Sequence, residues 1–266
     1  MDSWNLMNKW HLVLPPSRPS CLQLSRIRNQ ISDLPKSCNV AVLGSTPEFR
    51  DLLFECGFTN IYIFERNLDF YKQMTEDRVY DNKEILIKGD WLNTLEKYPR
   101  SFHVILSDLT SGNIPYESRG SFYSSITKSL ERGGFFFDKV LIHDIPNLLV
   151  SELECKYDRL PLNLLTVNHF NCEMLFCSEL LEINQKVDTT LFYQLLDTKI
   201  KSRKVLRFVQ ECKNIITPIG FTWWYGRSWN DLKKTYCVEL EPCNVVDEEE
   251  SSPYFLRAKH FTLRKR

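Results

Sequence analysis

One short segment, Asn39 to Asp51 (NVAVLGSTPEFRD), constrains the fold of this chain more than any other. Its first part, Val40 to Leu43, is a continuous apolar run, which is typical of a parallel strand covered on both faces. Gly44 then allows a tight backbone turn with no Cβ in the path of a ligand. The next four residues, Ser45 to Glu48, combine the spacing of a capping box with a proline at a favoured first helical position, which predicts a helix over 47–56. A strand that passes through a glycine turn into a helix predicts a ligand-binding turn.

The rest of the chain continues this pattern as far as Ile142, because short β-rich runs alternate with helical stretches. Such alternation predicts a doubly wound α/β sheet. The segment 143–222 has helical patterns without convincing strand alternation, and two later β-rich stretches flank an acidic turn at 247–252, which predicts a closing hairpin. The predicted strands are 40–43, 60–65, 84–88, 102–107 and 135–142, the helices are 47–56, 67–77 and 118–131, the last of them ended by Gly133 and Gly134, and the hairpin strands are 236–240 and 254–263.

We interpret the 266 residues as one elaborated domain with a substantial core. The parts that we predict are an N-terminal arm over 1–37, a Rossmann-like core over 38–142, a helical cap over 143–222 and a C-terminal hairpin over 223–266 that completes the sheet. Trp4 and Trp10, with the prolines between 15 and 19, indicate that the arm packs over the cleft of the core, and packing elsewhere is equally allowed.

Composition narrows the choice of partners and compartment. The chain is 43% hydrophobic and 26% charged, and its 34 basic and 34 acidic residues cancel, so there is no electrostatic case for a nucleic acid partner. Nine cysteines without a C-x-x-C pair favour free, buried thiols in a reducing compartment over disulfides or a zinc site. No cleavable leader and no apolar run of membrane-spanning length is found, so we expect a soluble cytoplasmic protein with no membrane partner.

Ligand-competent residues end four consecutive predicted strands. In an open α/β sheet, ligands bind at the carboxyl ends of the strands. Gly44 ends the first strand, and Glu65 ends the second, 21 positions later. An acid at that distance can accept both hydroxyl groups of an adenosine ribose. Asp90 and Trp91 follow the third strand, where they can meet an adenine amino group and ring face, and Asp108 follows the fourth.

The order of these elements resembles that of a class I S-adenosylmethionine (SAM)-dependent methyltransferase, over roughly 38–142 and the final hairpin. The resemblance implies a Rossmann-like, doubly wound seven-stranded sheet with an antiparallel last strand, SAM as cofactor and S-adenosylhomocysteine (SAH) as product. It assigns Gly44 to the methionine part of the cofactor, Glu65 to the ribose, Asp90 to the adenine and Asp108 to the methyl end. The cofactor-binding set that it implies is Gly44, Ser45, Thr46, Glu65, Arg66, Asp90, Trp91, Asp108 and Leu109.

Within that family, the stretches GSTPEFRDL, GDW and SDLTSGNIP are similar to a group of bacterial GxTPE-type methyltransferases of unknown substrate, which also have a PP-x-RP-S stretch near the N-terminus. The family usually has an acid and three glycines in the first loop. Only Gly44 is present here, so Ser45 and Thr46 must supply contacts through hydroxyl groups or amides.

The catalytic residues follow less directly from the sequence. Methyl transfer is an in-line displacement, so the main tasks are to align the acceptor and to exclude water. His143, after the fifth strand, is the best-placed base, or else it caps the helix that follows. Asp108 either orients the acceptor or only touches the cofactor, and His169 is a further candidate for substrate contact. Trp223 to Tyr225 form either an aromatic wall for an apolar or cationic acceptor or part of the core.

These observations predict a SAM-dependent methyltransferase acting on the O or N atom of a small metabolite or short peptide, in specialised metabolism. A catalytically silent methyltransferase-like binding module is the alternative. An NAD(P)-dependent oxidoreductase is disfavoured, because its G-x-G-x-x-G motif requires glycines where Thr46 and Phe49 stand. The oligomeric state is left open.

Overall fold

The structure is a computed structural model, and it describes residues 7–15, 17–81, 83–142, 148–177, 179, 186–217, 219–225, 230, 239–247 and 257–266. The predictions made for Trp4 and His143 lie outside these residues. The same holds for 236–238 and 254–256 of the predicted hairpin.

A seven-stranded sheet forms the centre of the described molecule, in the order β3-β2-β1-β4-β5-β9-β8. The first five strands are parallel, and β9 is antiparallel to both of its neighbours. This topology confirms the predicted doubly wound sheet with an antiparallel last strand. The strands are β1 Asn39–Leu43, β2 Asn60–Glu65, β3 Ile85–Lys88, β4 Phe102–Ser107, β5 Leu130–Leu141, β6 Lys186–Asp188, β7 Thr222–Trp224, β8 Leu240–Asp247 and β9 Ala258–Lys265.

Helices cover both faces of this sheet and form a separate layer above its carboxyl edge. Several begin at residues whose side chains accept from backbone amides of the first turn, as Asn67, Asn163 and Ser202 do. The α-helices are α1 Cys21–Ile31, α2 Pro47–Glu55, α3 Leu68–Glu76, α4 Trp91–Thr94, α5 Tyr116–Ser129, α6 Val150–Arg159, α7 Leu164–Met174, α8 Thr189–Lys199 and α9 Arg203–Ile215, and the 3-10 helices are Met7–Leu12, Leu95–Lys97 and Thr110–Asn113.

The glycine pair Gly133 and Gly134 lies inside β5 and does not end helix α5, so that prediction was wrong. The helix ends at Ser129, and β5 begins at Leu130. A Cβ on Gly134 would lie 3.1 Å from the carbonyl oxygen of His103, at the place where the pairing of β4 with β5 shifts register. The glycines therefore permit a close approach of two strands at a bulge.

Three hydrophobic clusters form the core. Two lie on opposite faces of the sheet, one around Phe49 under α1 and α2, and the other around Phe122 under α5. The third lies among α6 to α9 and includes Val13 from the N-terminal segment and Ala258 from β9. Because strands and N-terminal residues share this third cluster, the helical layer is attached to the sheet by a common core.

Two details differ from the sequence-based expectations. Strands β6 and β7 pair in a small antiparallel sheet, although the segment 143–222 was expected to be helical. The cysteines that the structure describes are free thiols, but Cys21, Cys155 and Cys243 are exposed, so the expected burial holds for only part of them.

None of the described helices has both the length and the apolar character needed to cross a membrane.

Candidate functional site

The carboxyl ends of strands β1 to β4 open into one cavity of about 660 Å³. Gly44, Glu65, Asp90 and Asp108, which end or follow these four strands, all line it. The structure therefore brings together the four residues that were selected by their positions at strand ends. The remaining members of the predicted cofactor set also line this cavity: Ser45, Thr46, Arg66, Trp91 and Leu109.

Gly44 places bare backbone on the cavity wall. Its φ is +88°, in the left-handed region that favours glycine, and its amide donates to the carbonyl oxygen of Phe64 at 2.9 Å. The indole Nε1 of Trp91 donates to the same carbonyl oxygen at 2.8 Å. A Cβ on Gly44 would lie 4.0 Å from the Trp91 ring. Gly44 and Trp91 are thus held side by side, with open space in front of the glycine.

The Glu65 carboxylate is fixed at the end of β2. Its Oε2 accepts from the Ser45 hydroxyl at 3.2 Å, and its Oε1 accepts from the Asn67 amide at 2.8 Å. The residue is 5% exposed, and this burial raises the pKa of the Glu65 carboxyl. Each carboxylate oxygen keeps a lone pair for a further donor, so this group can accept from two neighbouring hydroxyl groups of a ligand.

The start of α2 differs from the predicted capping box. Thr46 is the N-cap residue, but its side chain makes no capping hydrogen bond. Ser45 donates to Glu65 instead, and Glu48 turns to the N-terminal segment. Its Oε1 accepts from Trp10 Nε1 at 3.0 Å and pairs with Arg18 Nε at 2.8 Å. The side chains expected to cap the helix are used to build the cavity and to hold the segment beside it.

The N-terminal segment lies against the large cavity, where Trp10 and Ser17 form part of the lining. Besides the contacts with Glu48, the Leu14 amide donates to Asn168 Oδ1 at 2.9 Å, which ties the segment to α7. The carbonyl oxygen of Arg18 accepts from Lys139 Nζ at 3.0 Å. The segment is therefore attached both to the sheet and to the helical layer.

Asp90 and Trp91 begin helix α4. The Asp90 side chain accepts from the Leu92 amide at 2.9 Å and so serves as the N-cap of this short helix. The carboxylate lines the cavity and retains acceptor capacity. Its contact with an adenine remains a prediction.

The loop after β4 carries Asp108 and Leu109. Asp108 forms an ion pair with Lys139 of β5, with Oδ1 and Nζ 2.8 Å apart. Leu109 has a φ of +58°, a left-handed conformation that is unfavourable for a residue with a branched, bulky side chain. Its amide donates to the carbonyl oxygen of Lys139 at 3.1 Å, which holds this conformation.

Two charged residues of β5 beside this loop were missed by the sequence reasoning. Asp138 and Lys139 are both buried, at 2% and 0% exposure. Asp138 accepts from the Ser107 hydroxyl at 2.8 Å, and burial raises the pKa of the Asp138 carboxyl to about 7. The sequence signal that could have identified them is the presence of an acid and a base inside the otherwise apolar strand FFFDKVL. Charged residues are rarely buried without partners, so two of them in a buried strand indicate polar partners in neighbouring elements.

A second cavity of about 170 Å³ adjoins the first. Trp10, Phe70, Met74, Leu109 and Trp224 line both of them. The predicted aromatic wall, Trp223 to Tyr225, lines this smaller cavity and belongs in part to the core as well. His169 lines neither cavity, and burial lowers the pKa of its imidazole.

Comparison with protein-family models gives no match, and comparison with curated proteins gives none either. Solved structures share the fold at low sequence identity. A Rhodobacter sphaeroides protein, described provisionally as a zinc-dependent alcohol dehydrogenase, has a TM-score of 0.58 at 11% identity, with 100% of each chain covered. The glycopeptide N-methyltransferase MtfA, in complex with SAH, has a TM-score of 0.52 at 10% identity, covering 92% of this chain and 89% of its own.

A third similar structure is the 1,6-didemethyltoxoflavin-N1-methyltransferase of Burkholderia thailandensis, with bound SAH. Its TM-score is 0.50 at 8% identity, and the match covers 97% of this chain and 79% of that one. At these identities the likeness concerns the fold. The chain has the Rossmann-like fold of SAM-dependent methyltransferases.

Proposed function

We propose that this protein is a SAM-dependent methyltransferase that acts on an O or N atom of a small metabolite or short peptide. The observation that carries the proposal is the convergence of Gly44, Glu65, Asp90 and Asp108 in one cavity. A second, apolar cavity adjoins it and offers a place for an acceptor. Solved neighbours that are named as methyltransferases and hold SAH support the choice of cofactor.

The residues of the large cavity fit this cofactor. Bare backbone at Gly44, followed by Ser45 and Thr46, suits the methionine part, which has both an amino and a carboxylate group. The buried Glu65 carboxylate, with its free lone pairs, suits the two ribose hydroxyl groups. Arg66, Asp90 and Trp91 would surround the adenine, and Asp108 and Leu109 would face the methyl end. When bound, SAM supplies a methyl group on a positively charged sulfur, which a lone pair on O or N can displace.

The protein's own contribution is alignment and exclusion of water. Trp10 and Trp224 lie between the two cavities. Their rings would close the junction and keep the acceptor directed at the cofactor. Asp108, fixed by Lys139, would orient the acceptor or the cofactor, and His143 is a proposed base that lies outside the described residues.

The proposal also includes a metabolic role, a bacterial subgroup and a cellular location, and each has its own support. A role in specialised metabolism is suggested by neighbours named for a toxoflavin precursor and a glycopeptide, and relation to the bacterial GxTPE-type group rests on the sequence resemblance. The free thiols of the described chain suit the proposed cytoplasmic location.

Calorimetric titration of the purified protein with SAM and with SAH tests the proposal. We expect saturable heat with either ligand, and the absence of heat with both would overturn it. Parallel titration with NAD⁺ and NADP⁺ addresses the oxidoreductase alternative, which the Rhodobacter neighbour brings into consideration. SAH binding without methyl transfer to any acceptor of a broad panel would favour the silent binding module.

A further inference from the structure

The smaller cavity has the size of a site for a single ring. It encloses about 170 Å³, and an apolar protein cavity of about 150 Å³ is large enough to bind benzene. Leu175, Ile216 and Trp223 supply apolar surface to its walls. Because the face of a tryptophan ring also attracts cations, these walls do not fix the charge of a ligand. They do limit its size.

Gly112 forms part of this cavity's wall without a side chain. It belongs to the 3-10 helix Thr110–Asn113, where its amide donates to the carbonyl oxygen of Leu109 at 3.1 Å. Leu109 and Asn113 line both cavities, whereas Gly112 lines the smaller one and not the large one. This turn therefore lies where the two cavities meet, and Gly112 is its contribution to the smaller cavity alone.

Neither the backbone nor the packing requires a glycine at position 112. Its φ is not in the left-handed region, in contrast to the φ of +88° at Gly44. Outside its own turn, a Cβ on Gly112 would have one described atom within 4 Å, the carbonyl oxygen of Trp224 at 3.9 Å, which is an ordinary van der Waals distance. A side chain would therefore fit here, and it would occupy space that the cavity now holds open.

The part of the wall that a side chain at 112 would meet is fixed in place. The carbonyl oxygen of Trp224 accepts from Arg119 Nη2, and the carbonyl oxygen of Tyr225 accepts from the Tyr116 hydroxyl. Both donors belong to helix α5, and the Arg119 guanidinium lies over the Tyr116 ring at 4.4 Å. Since α5 holds this wall by its backbone, a side chain at 112 would reduce the cavity and not push the wall aside.

Resting on the function proposed above, we propose that Gly112 is a specificity-determining residue. By lacking a side chain, it leaves room in the smaller cavity for one hydrophobic ring of the methyl acceptor, and the fixed walls exclude larger ring systems. The acceptor is therefore a molecule that carries its reactive O or N atom on a single ring. The walls shared with the large cavity place that atom beside the cofactor.

Benzyl alcohol and 2-naphthalenemethanol test the size limit, because they carry the same hydroxymethyl group on one ring and on two fused rings. Each is titrated by calorimetry into the protein saturated with SAH, so that the large cavity is occupied. In a site without a size limit, the two-ring probe would bind more tightly, since it buries more apolar surface. We expect it to bind about 10-fold more weakly than benzyl alcohol.

The variant Gly112→Val fills the space in front of the glycine. We expect it to bind benzyl alcohol about 10-fold more weakly, with Gly112→Ala between it and the parent protein. The affinity for SAH should be unchanged, because Gly112 does not line the large cavity, and it shows that each variant is folded. Gly120→Val is the matched control. Gly120 is exposed on α5, a Cβ there would meet none of the described atoms within 4 Å, and both affinities should be unchanged.

A second change restores the space and separates a role in size selection from damage to the fold. Ile216 lines the smaller cavity and not the large one. Ile216→Ala removes as many carbon atoms as Gly112→Val adds, so it should raise the affinity for 2-naphthalenemethanol about 5-fold. The double variant should recover most of the affinity for benzyl alcohol, which a Gly112 variant with a damaged fold would not do.

Unchanged binding of benzyl alcohol to Gly112→Val, or an equal loss in Gly120→Val, would overturn the role of Gly112. Tighter binding of the two-ring probe to the parent protein would overturn the size limit. Failure of benzyl alcohol to bind to a protein that binds SAH would overturn the single-ring acceptor site and leave the proposed function standing. Failure to bind SAH would instead overturn the proposed function.

Discussion

The Lys139 ammonium lies 2.8 Å from the Asp108 carboxylate, and the two side chains are only 0% and 3% exposed. Lys139 also donates to the carbonyl oxygen of Arg18. One buried lysine therefore orients the acid at the end of β4 and fastens the N-terminal segment over the same cavity. The strand-end acid is not a free surface group but part of a fixed charge pair.

Replacing Lys139 by Met is expected to lower the free energy of unfolding by about 3–5 kcal/mol, because it leaves the buried Asp108 carboxylate without its partner. Urea unfolding measures the loss. The double variant with Asp108→Asn should recover much of it, since no buried charge remains. Lys128→Met, which breaks a 3.8 Å pair with Glu96 on the surface, should cost less than about 1 kcal/mol. A loss at Lys139 as small as that at Lys128 would contradict this account.

Asp138 is expected to make stability depend on pH. Burial raises the pKa of its carboxyl from 3.8 to about 7, so between these values the folded protein holds a proton that the unfolded chain has released. The contribution of this group to stability therefore falls as the pH rises towards 7 and then levels off. Asp138→Asn removes the effect, so between pH 5 and pH 8 the variant should gain about 2 kcal/mol relative to the parent protein.

Chemical unfolding of both proteins across that pH range measures the difference. Asp197→Asn is the control, because Asp197 lies on the surface in a pair with Lys213. If the two Asn variants show the same pH dependence, the Asp138 carboxyl does not titrate as described.

Replacing Glu65 by Ala is expected to weaken SAH binding by about 1.5–3 kcal/mol, roughly 10- to 150-fold, through the loss of charged hydrogen bonds. Calorimetry measures the affinity, with Glu96→Ala on the surface as a control. Because burial raises the pKa of Glu65, the parent protein should also lose affinity as the pH falls through that raised value, whereas Glu65→Gln should not. Unchanged affinity in Glu65→Ala would remove Glu65 from the ribose site.

At position 109, Gly is expected to give a more stable protein than Ala. Its φ of +58° costs any residue with a Cβ about 1–2 kcal/mol, and this exceeds the entropic cost of glycine in the unfolded chain. Leu109→Gly should therefore be about 0.5–1 kcal/mol more stable than Leu109→Ala in urea unfolding. At Leu191, exposed on helix α8, the order should reverse by about 1 kcal/mol. The same order at both positions would show that the strain at Leu109 is not significant.

Much of the sheet could be predicted from the sequence because local patterns determine it. The apolar runs at 40–43, 60–65 and 102–107 match observed strands closely. In a parallel sheet the carboxyl ends of the strands lie along one edge. The last residues of neighbouring strands therefore lie close together, wherever the connecting helices begin and end. This is why Glu65 and Asp90 could be placed in one cavity without any structure.

The errors arose where long-range contacts override local signals. Gly133 and Gly134 suggest a helix end, yet the contact with β4 makes them strand residues. Ser45 and Glu48 suggest a capping box, yet Glu65 and Trp10 attract their side chains. In both cases the residue that forms the competing contact is distant in the sequence, so a local pattern cannot predict it.

The smaller cavity was the feature least accessible to prediction. The smaller cavity takes its walls from the N-terminal segment, from α7 and from β7. Whether the aromatic residues Trp223 to Tyr225 line a cavity or lie in the core depends on how these parts pack, so their local sequence is compatible with both.

The order of the sheet also bears on how the chain folds as it is made. Strand β9 lies between β5 and β8, so the outer edge of β5 has no partner until residues 258–265 are available. During synthesis, a ribosome-bound chain would expose the backbone hydrogen-bonding groups of FFFDKVL for the time needed to add more than one hundred residues. An open edge of this kind can pair with other chains. Nascent chains that stall before β9 should therefore be the form of this protein most dependent on chaperones.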